Sequence, residues 1–389
     1  MREIRKRTAF FVVILMLLFP RQAVWAEMGK TGEDYLENWR AELDFSDLDE
    51  LLETELFQND RDPIRFSTVV DALLTDGFAE FDYTMVIEWL KDALVYELDE
   101  NRRILVEIVA LVVAFSAIKN FSGAFKQAYI AEISFFLIYS ILAVLLLQSF
   151  QNYEDIAGKA LNQSVDFMKA LVPTFCISMV FSAGAGTSAS FYQLAFLVIY
   201  LIQWLFLKVL MPLIHGYVLL VLFNHFFEDE KFENLTELLK SVINWGLKSA
   251  GVLVVGMNVV QGLIAPAKDR LMNGTIEKAA TLIPGVGTVM SGIGELLLGS
   301  GILIKNCVGV TALVFLVALG MLPVIKILCL SLFYKLAAVA VEPVADKRIA
   351  GCLKGMAEGG VLYLKVVLYC MALFLVTIAL TTAASGLMA

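Results

Sequence analysis

Apolar runs fill the chain after Arg103, and polar positions are confined to short gaps between them. A helix needs roughly 20 mostly apolar residues to cross the hydrocarbon core of a bilayer, and most of these runs approach that length. Eight runs predict full membrane spans: 104–118, 129–150, 189–207, 209–227, 242–264, 307–323, 324–341 and 361–384. The pattern predicts an all-α polytopic membrane protein, with Lys208 at the turn between two successive spans.

Two further apolar stretches, 168–186 and 282–304, are broken by glycine and proline. In lipid, a broken backbone is tolerated only where protein or a water-filled cavity covers it, so each stretch is interpreted either as re-entrant or as a full span. Matching breaks of this kind indicate a transport path, and close helix packing through small residues is the alternative interpretation. The candidate path residues are Pro173, Gly184, Gly186, Pro284, Gly285, Gly287, Gly292, Gly294 and Glu295.

The membrane body has the pattern of an internal repeat of about 111 residues. Two prolines recur at an offset of 111, Pro173 as Pro284 and Pro212 as Pro323. The same offset pairs His215 with Lys326, two polar positions inside apolar runs. The predicted divisions are 104–167 for the first two spans, 168–265 for the first repeat and 279–389 for the second.

Positive charge predicts the orientation of these segments, because cytoplasmic loops carry an excess of Lys and Arg. With two re-entrant stretches, the loops around Lys126, Arg270 and Arg348 all lie on the cytoplasmic side. The acidic loop 228–240 then lies outside, and the two repeats have inverted orientations.

The chain before the membrane body has two charge zones. Residues 1–26 carry five basic residues against one acidic residue, followed by a short apolar run and a small-residue site at Ala26, which predicts a signal peptide. An uncleaved anchor is the alternative interpretation. Residues 27–103 carry 22 acidic and 7 basic residues, and both interpretations place this segment outside the cytoplasm.

The acidic segment has the apolar spacing of short helices. The clearest begins at Pro63, a favourable first helical position, and continues to Gly77 with Phe66 and Val70 on its apolar side. Another helix is predicted from Tyr83. The segment is interpreted as a small helical cap with a solvated acidic face, or as a docking surface for a basic partner.

Composition agrees with a membrane protein, since 59% of residues are hydrophobic, 18% are charged and the mean hydropathy is +0.75. No P-loop, nucleophile elbow or zinc-binding histidine motif occurs, so the sequence supports no enzyme, metal site or cofactor. The 5 cysteines have no metal-ligand spacing and fit small buried apolar positions.

Gly351, Gly355 and Gly359 form one smooth face if their segment is helical.

Several segments together resemble a known family. They are the acidic segment leading into 97–105, the run 122–125, the span that starts at 131–134, and the run 282–291 with Leu-Ile-Pro-Gly-Val-Gly. On these segments the chain resembles the stage III sporulation protein AE family of endospore-forming Firmicutes over nearly its whole length. The resemblance supplies no active-site residues to place on this sequence.

The resemblance implies a location and partners that the residues alone do not. It implies a multi-pass protein of the mother-cell membrane around the forespore, within a channel or feeding-tube complex that supports forespore development after engulfment. The implied partners are other stage III sporulation membrane proteins, a cytosolic ATPase of the same operon and, indirectly, a forespore membrane protein. No nucleic acid is implied.

Three functions remain open from the sequence. The chain is a permease-like component of this sporulation channel, a non-conducting platform that anchors partner rings, or a stand-alone secondary transporter. The first function predicts that bulky residues at Gly285, Gly287 or Gly292 block transport without preventing assembly.

Overall fold

The computed structural model describes residues 43–56, 64–75, 128–226, 232–280, 287–343 and 347–384, with single positions at 95, 106, 110 and 113. Every regular element in these ranges is helical. The signal peptide, the helix predicted from Tyr83 and most of the predicted span 104–118 lie outside the described residues. The elements are α1 (Ser46–Glu55), α2 (Phe66–Thr75), α3 (Ala128–Ala183), α4 (Ala185–Leu201), a π-helical segment (Ile202–Leu210), α5 (Met211–Phe226), α6 (Glu233–Ala280), α7 (Gly287–Val341) and α8 (Lys347–Ala384).

Four helices in the described part of the chain are long and apolar enough to cross a membrane: Ala185–Phe226, Glu233–Val260, Gly299–Val341 and Lys347–Ala383. The described part of the chain is therefore all-helical and has the long apolar helices of a multi-pass membrane protein, whereas the number of eight spans is not confirmed. The predicted spans 307–323 and 324–341 form one continuous helix, α7, which continues through Pro323. Helix α3 likewise continues across the predicted domain boundary at residue 168, so that boundary is not a break in the fold.

The predicted turn at Lys208 is wrong. Helix α4, the π-helical segment and α5 form one uninterrupted helix, and Lys208 lies inside the π-helical segment. Pro212 follows directly and has no backbone N–H to donate to the preceding turn. The wider π-helical turns before it change the hydrogen-bond register locally, so the chain passes the proline without a break.

Helix α3 packs antiparallel against the whole length from α4 to α5. Near its C-terminal end, the Phe175 and Phe191 ring centroids are 5.3 Å apart. Near its N-terminal end, the Tyr139 hydroxyl donates to the Leu222 carbonyl at 2.6 Å. The end of α3 thus contacts the start of α4, and the start of α3 contacts the end of α5. The two long helices therefore run antiparallel and form one helical hairpin.

Helix α8 lies beside α5, α6 and α7, and its contacts define the order of the bundle. It is antiparallel to α7, since Gly320 approaches Met371 and Ser331 approaches Gly360. It is parallel to α6, since Lys240 donates to Glu358 at 2.7 Å and Asn258 donates to Thr377 at 3.1 Å.

The parallel direction of α6 and α8 contradicts the prediction that the two repeats have inverted orientations. The start of α8 at Gly351 touches His225 near the end of α5, so the end of α5 and the start of α8 lie at the same end of the bundle. The predicted inverted orientation required a turn at Lys208 and another between residues 323 and 324, and both positions lie inside continuous helices.

Three glycines of α8 form the contact with α5, as the sequence predicts for a helical segment. A Cβ atom added at Gly351 would overlap the His225 ring, and one added at Gly355 would overlap Val221 Cγ1. Gly359 meets Val218 in the same way. Small residues at a spacing of four let two helix backbones approach closely, which is the main source of attraction between helices in lipid.

The acidic helices α1 and α2 pack on the side of this bundle. Phe66 is fully buried, with ring centroids 5.4 Å from Phe45, 6.5 Å from Phe167 on α3 and 5.7 Å from Phe315 on α7. The predicted helix after Pro63 is confirmed as α2, with Phe66, Val70 and Leu73 buried.

Hydrogen bonds link the two acidic helices to each other and to α3. Ser67 donates its hydroxyl to Asp49 at 2.6 Å, and Thr174 of α3 donates to the Asp44 carbonyl at 2.9 Å. The hydroxyl and amide of Ser46 donate to the Asp44 carboxylate, which lowers the pKa of that carboxyl below its usual value.

We expect Gly355→Ala to destabilise the protein, because the new Cβ would collide with a valine whose side chain is stiff in a helix. The cost should be about 1–3 kcal/mol, typical of overpacking. Thermal unfolding in detergent, followed by circular dichroism, measures it. The matched control is Gly256→Ala on α6, where a Cβ meets nothing within 4 Å and the better helix propensity should be neutral or stabilising. Equal effects of the two substitutions would contradict the close α5–α8 contact.

Phe66→Ala should release α1 and α2 from the bundle. Replacing a large buried aromatic side chain by alanine costs about 3–5 kcal/mol of stability, and two short helices are only marginally stable without packing. Limited proteolysis of the purified chain measures this release, which should appear as faster cleavage between residues 43 and 75. Ile64→Ala, at a position 56% exposed in the same segment, is the control and should leave the cleavage rate unchanged.

Candidate functional site

The first predicted re-entrant stretch is the tip of a helical hairpin. Helix α3 continues through Pro173 to Ala183, and Gly184 has φ 91° and ψ 155°, a conformation almost restricted to glycine. The chain then reverses, and the Ser188 hydroxyl donates to the Cys176 carbonyl at 2.7 Å. Gly184 thus makes a one-residue turn between two packed helices, with Gly186 in the first turn of α4.

The second stretch has a different structure from the first. Pro284 and Gly285 lie outside the described residues. The backbone at Gly287, Gly292, Gly294 and Glu295 is regular helix at the start of α7, so the glycines do not interrupt it. The expected break is wrong for residues 287–304, because glycine lowers helix stability by only about 1 kcal/mol and neighbouring turns sustain the helix. A path along these residues stays a prediction.

Of the polar pair predicted by the repeat, His215 has a partner on another helix. Its Nδ1 lies 2.8 Å from Glu154 Oε2 of α3, and both side chains are about one-third exposed. Lys326 lies on α7, three residues after Pro323. Glu154 lies in the polar middle of α3, between the apolar runs 129–150 and 168–186.

Six exposed polar residues form a continuous line on α3, here called the polar face. They recur at spacings of three and four residues, as one side of a helix requires, and the order is Asn, Asp, Lys repeated twice. The residues are Asn152, Asp155, Lys159, Asn162, Asp166 and Lys169. Their formal charges cancel, and the Lys169 ammonium donates to Asp166 at 3.1 Å.

An open pocket of about 340 Å³ lies beside the polar face, where α3 passes the junction of the π-helical segment and α5. One wall is polar and belongs to α3, and the opposite wall is apolar. The lining residues are Glu154, Asp155, Gly158, Lys159 and Asn162 on α3, with Leu207, Met211 and Pro212 opposite. Single π-helical turns are frequent at functional sites, and this π-helical segment forms part of the wall.

The polar face has an apolar neighbour on one side and an acidic one on the other. On the adjoining α4 and π-helical segment, Leu197, Tyr200 and Trp204 are exposed, as expected of a surface that contacts lipid. On the other side, the Gln163 amide donates to the Glu55 carboxylate of α1. The polar face therefore connects the acidic helices with the pocket.

A signal for the polar face exists in the sequence. Residues 151–170 hold polar side chains at helical spacing, but they separate two apolar runs and look like a loop in a search for membrane spans. The heptad-like order of Asn, Asp and Lys between 152 and 169 indicates a helix with one polar side, and it distinguishes this stretch from a turn.

The sequence matches the model of a described protein family. The family model for stage III sporulation protein AE aligns with residues 64–385, which include every described long helix. The chain belongs to this family. Membership implies a role in sporulation and confirms the resemblance seen in the sequence.

A relative within the family shares much of this chain. The stage III sporulation protein AE of Bacillus subtilis (strain 168) is 26% identical over 270 residues, which cover 68% of each chain. No solved structure matches the chain. The family description names a sporulation protein and no enzymatic activity.

Gly184→Ala should destabilise the hairpin by about 1–3 kcal/mol, because a Cβ is strained at this backbone conformation. Thermal unfolding in detergent measures the loss. Gly216→Ala on α5, where a Cβ meets nothing within 4 Å, is the matched control and should not lose stability. A normal unfolding temperature for Gly184→Ala would contradict the one-residue turn.

Proposed function

We propose that this chain is a permease-like membrane component of the sporulation channel complex between mother cell and forespore, and that its polar face borders the aqueous path. The observation that carries the proposal is the line of six exposed polar side chains on α3 beside the exposed apolar surface of α4 and the π-helical segment. The family name supports the sporulation role, and the polar face supports contact with water within the membrane body.

Lipid cannot cover the polar face cheaply. A single Asp or Lys at the centre of a bilayer costs roughly 2.5–3.5 kcal/mol on insertion scales, and the polar face carries two of each. Long lysine side chains reach toward the interface, but the two aspartates and two asparagines are short. We therefore infer that water, or a polar surface of another subunit, contacts this side of α3.

The packing favours a path on this surface over one through the centre of the bundle. The side of α3 opposite the polar face is apolar, and Phe150, Tyr153, Leu161 and Phe167 on it are fully buried. They belong to one continuous hydrophobic core that includes all the long helices. A channel through such a core would require large side chains to separate, whereas the polar face needs no rearrangement.

The helix boundaries support the proposed internal repeat. Helix α5 ends at Phe226 and α7 ends at Val341, an offset of 115, and α6 and α8 begin at Glu233 and Lys347, an offset of 114. Pro212 and Pro323 lie inside the corresponding long helices. The repeat unit is then a pair of long helices, and the two units have the same orientation.

A non-conducting platform is the second candidate function. The buried Phe66 contact favours it, because this contact holds the acidic helices firmly against the bundle, where they present Asp47, Glu50 and Glu53. In both proposals the partners are other stage III sporulation membrane proteins and a cytosolic ATPase of the same operon. The forespore membrane protein is an indirect partner.

Cysteine labelling tests whether the polar face contacts water. In a chain with its 5 cysteines replaced, Asn162→Cys should react rapidly with a membrane-impermeant maleimide, since a thiol must ionise in water to react. Val144→Cys, at an exposed apolar position of the same helix, is the matched control and should react slowly. Equal protection of both positions in sporulating cells would contradict the proposed path.

A bulky substitution separates the two candidate functions. Asn162→Trp should lower forespore gene expression after engulfment while the chain still co-purifies with its partners. If co-purification is lost together with expression, the platform function is favoured. Solute uptake by vesicles that contain only this chain would instead identify a stand-alone transporter.

A further inference from the structure

Four lysines and a single carboxylate share the outer side of the α6–α8 pair. Lys240 and Lys248 belong to α6, and Lys354 and Lys365 belong to α8, with Glu358 between them. Lys240 and Lys248 are eight residues apart, and Lys354 and Lys365 are 11 apart, so each pair lies on one side of its helix. Because α6 and α8 are parallel neighbours, the two sides form one surface, here called the lysine cluster.

Contacts hold the lysine cluster together. Glu358 Oε2 accepts hydrogen bonds from Lys240 at 2.7 Å and from the Tyr217 hydroxyl at 3.0 Å. Lys365 donates to Asn244 Oδ1 at 3.0 Å. Lys240 and Lys248 also repel the charge of Lys365. Asn244 and Glu358 thus fix two of the ammonium groups side by side.

Positive charge exceeds negative charge in this region. Residues 233–248 and 347–365 contain six basic residues, with Lys347 and Arg348 added to the lysine cluster, against Glu233, Glu237 and Glu358. Lys248 and Lys354 are exposed. An anion at this surface would relieve the repulsion that the lysines exert on one another.

An apolar surface overlaps one end of the lysine cluster and continues beyond it. Trp245, which follows Asn244, is 71% exposed, and Val252 further along α6 is 77% exposed. Val361 and Leu368 are exposed on α8 at the same side of the bundle. Tryptophan is enriched at the level of lipid headgroups, so the cluster and the apolar surface together have the amphipathic order of a phospholipid.

We propose that the lysine cluster is a binding site for an anionic phospholipid, with the headgroup phosphate on the lysines and an acyl chain along Trp245, Val252, Val361 and Leu368. Basic groups between membrane helices bind such headgroups, and each Lys near a charged bilayer surface contributes to the attraction. The adjoining apolar surface selects a lipid over a free phosphate, since a free phosphate would leave that surface without a ligand.

Tryptophan quenching tests the proposal on the full-length chain. Trp245 is retained as the single tryptophan, and the protein is reconstituted in phosphatidylcholine vesicles that contain either brominated phosphatidylglycerol or brominated phosphatidylcholine. We expect the anionic lipid to quench Trp245 more strongly. A chain that retains only Trp204, on the π-helical segment, is the positional control and should be quenched equally by both lipids.

Two exposed lysines provide variants that keep the fold. Lys248→Gln with Lys354→Gln should reduce the preference for the anionic lipid by roughly tenfold. Lys208→Gln with Lys335→Gln removes the same charge from exposed positions elsewhere and should leave the preference unchanged. Equal quenching of Trp245 by both lipids, or a preference that survives Lys248→Gln with Lys354→Gln, overturns the proposal. Loss of the preference on adding inorganic phosphate, but not chloride of equal ionic strength, also overturns it in favour of a free anion.

Discussion

The close approach of α5 and α8 is the contact on which the rest of the bundle depends. Lipid supplies no hydrophobic force between apolar helices, so their association relies on contact area and short distances. Gly351, Gly355 and Gly359 remove side chains along three turns of α8, and Val218 and Val221 fill the space. The neighbouring Gly360 lies beside Tyr153 and Ser331, so the same part of α8 also meets α3 and α7.

This approach determines which side of each helix faces outward. Phe150 and Tyr153 of α3 point toward the glycines of α8, and helix geometry then directs Asn152, Asp155 and Lys159 away from the core. Glu358 is likewise one residue before Gly359, where it meets Tyr217 and Lys240. The polar face and the lysine cluster are thus separate surfaces that arise from one packing contact.

The two surfaces suggest a division of roles within the membrane. The polar face has no net charge and is connected to the acidic helices by Gln163 and Glu55, a combination that suits contact with water and dissolved solutes. The lysine cluster is positively charged and borders apolar side chains, which suits a fixed lipid. Under the proposed function both kinds of surface are needed, since a channel component must contact water on one side while lipid holds it in place on another.

Local pattern alone determined the class of this protein, the helix after Pro63 and the glycine face of α8, because each depends on residues a few positions apart. Only the tertiary structure decided that Lys208 lies within a helix, that Gly184 is a turn while Gly292 is not, and that α6 and α8 are parallel. Hydropathy measures how apolar a segment is. A helix ends where its backbone hydrogen bonds are interrupted, and the length of an apolar run does not predict that residue. The sequence order of Asn, Asp and Lys shows that this part of α3 has one polar side, but packing against residues such as Gly359, far away in sequence, decided that this side faces outward.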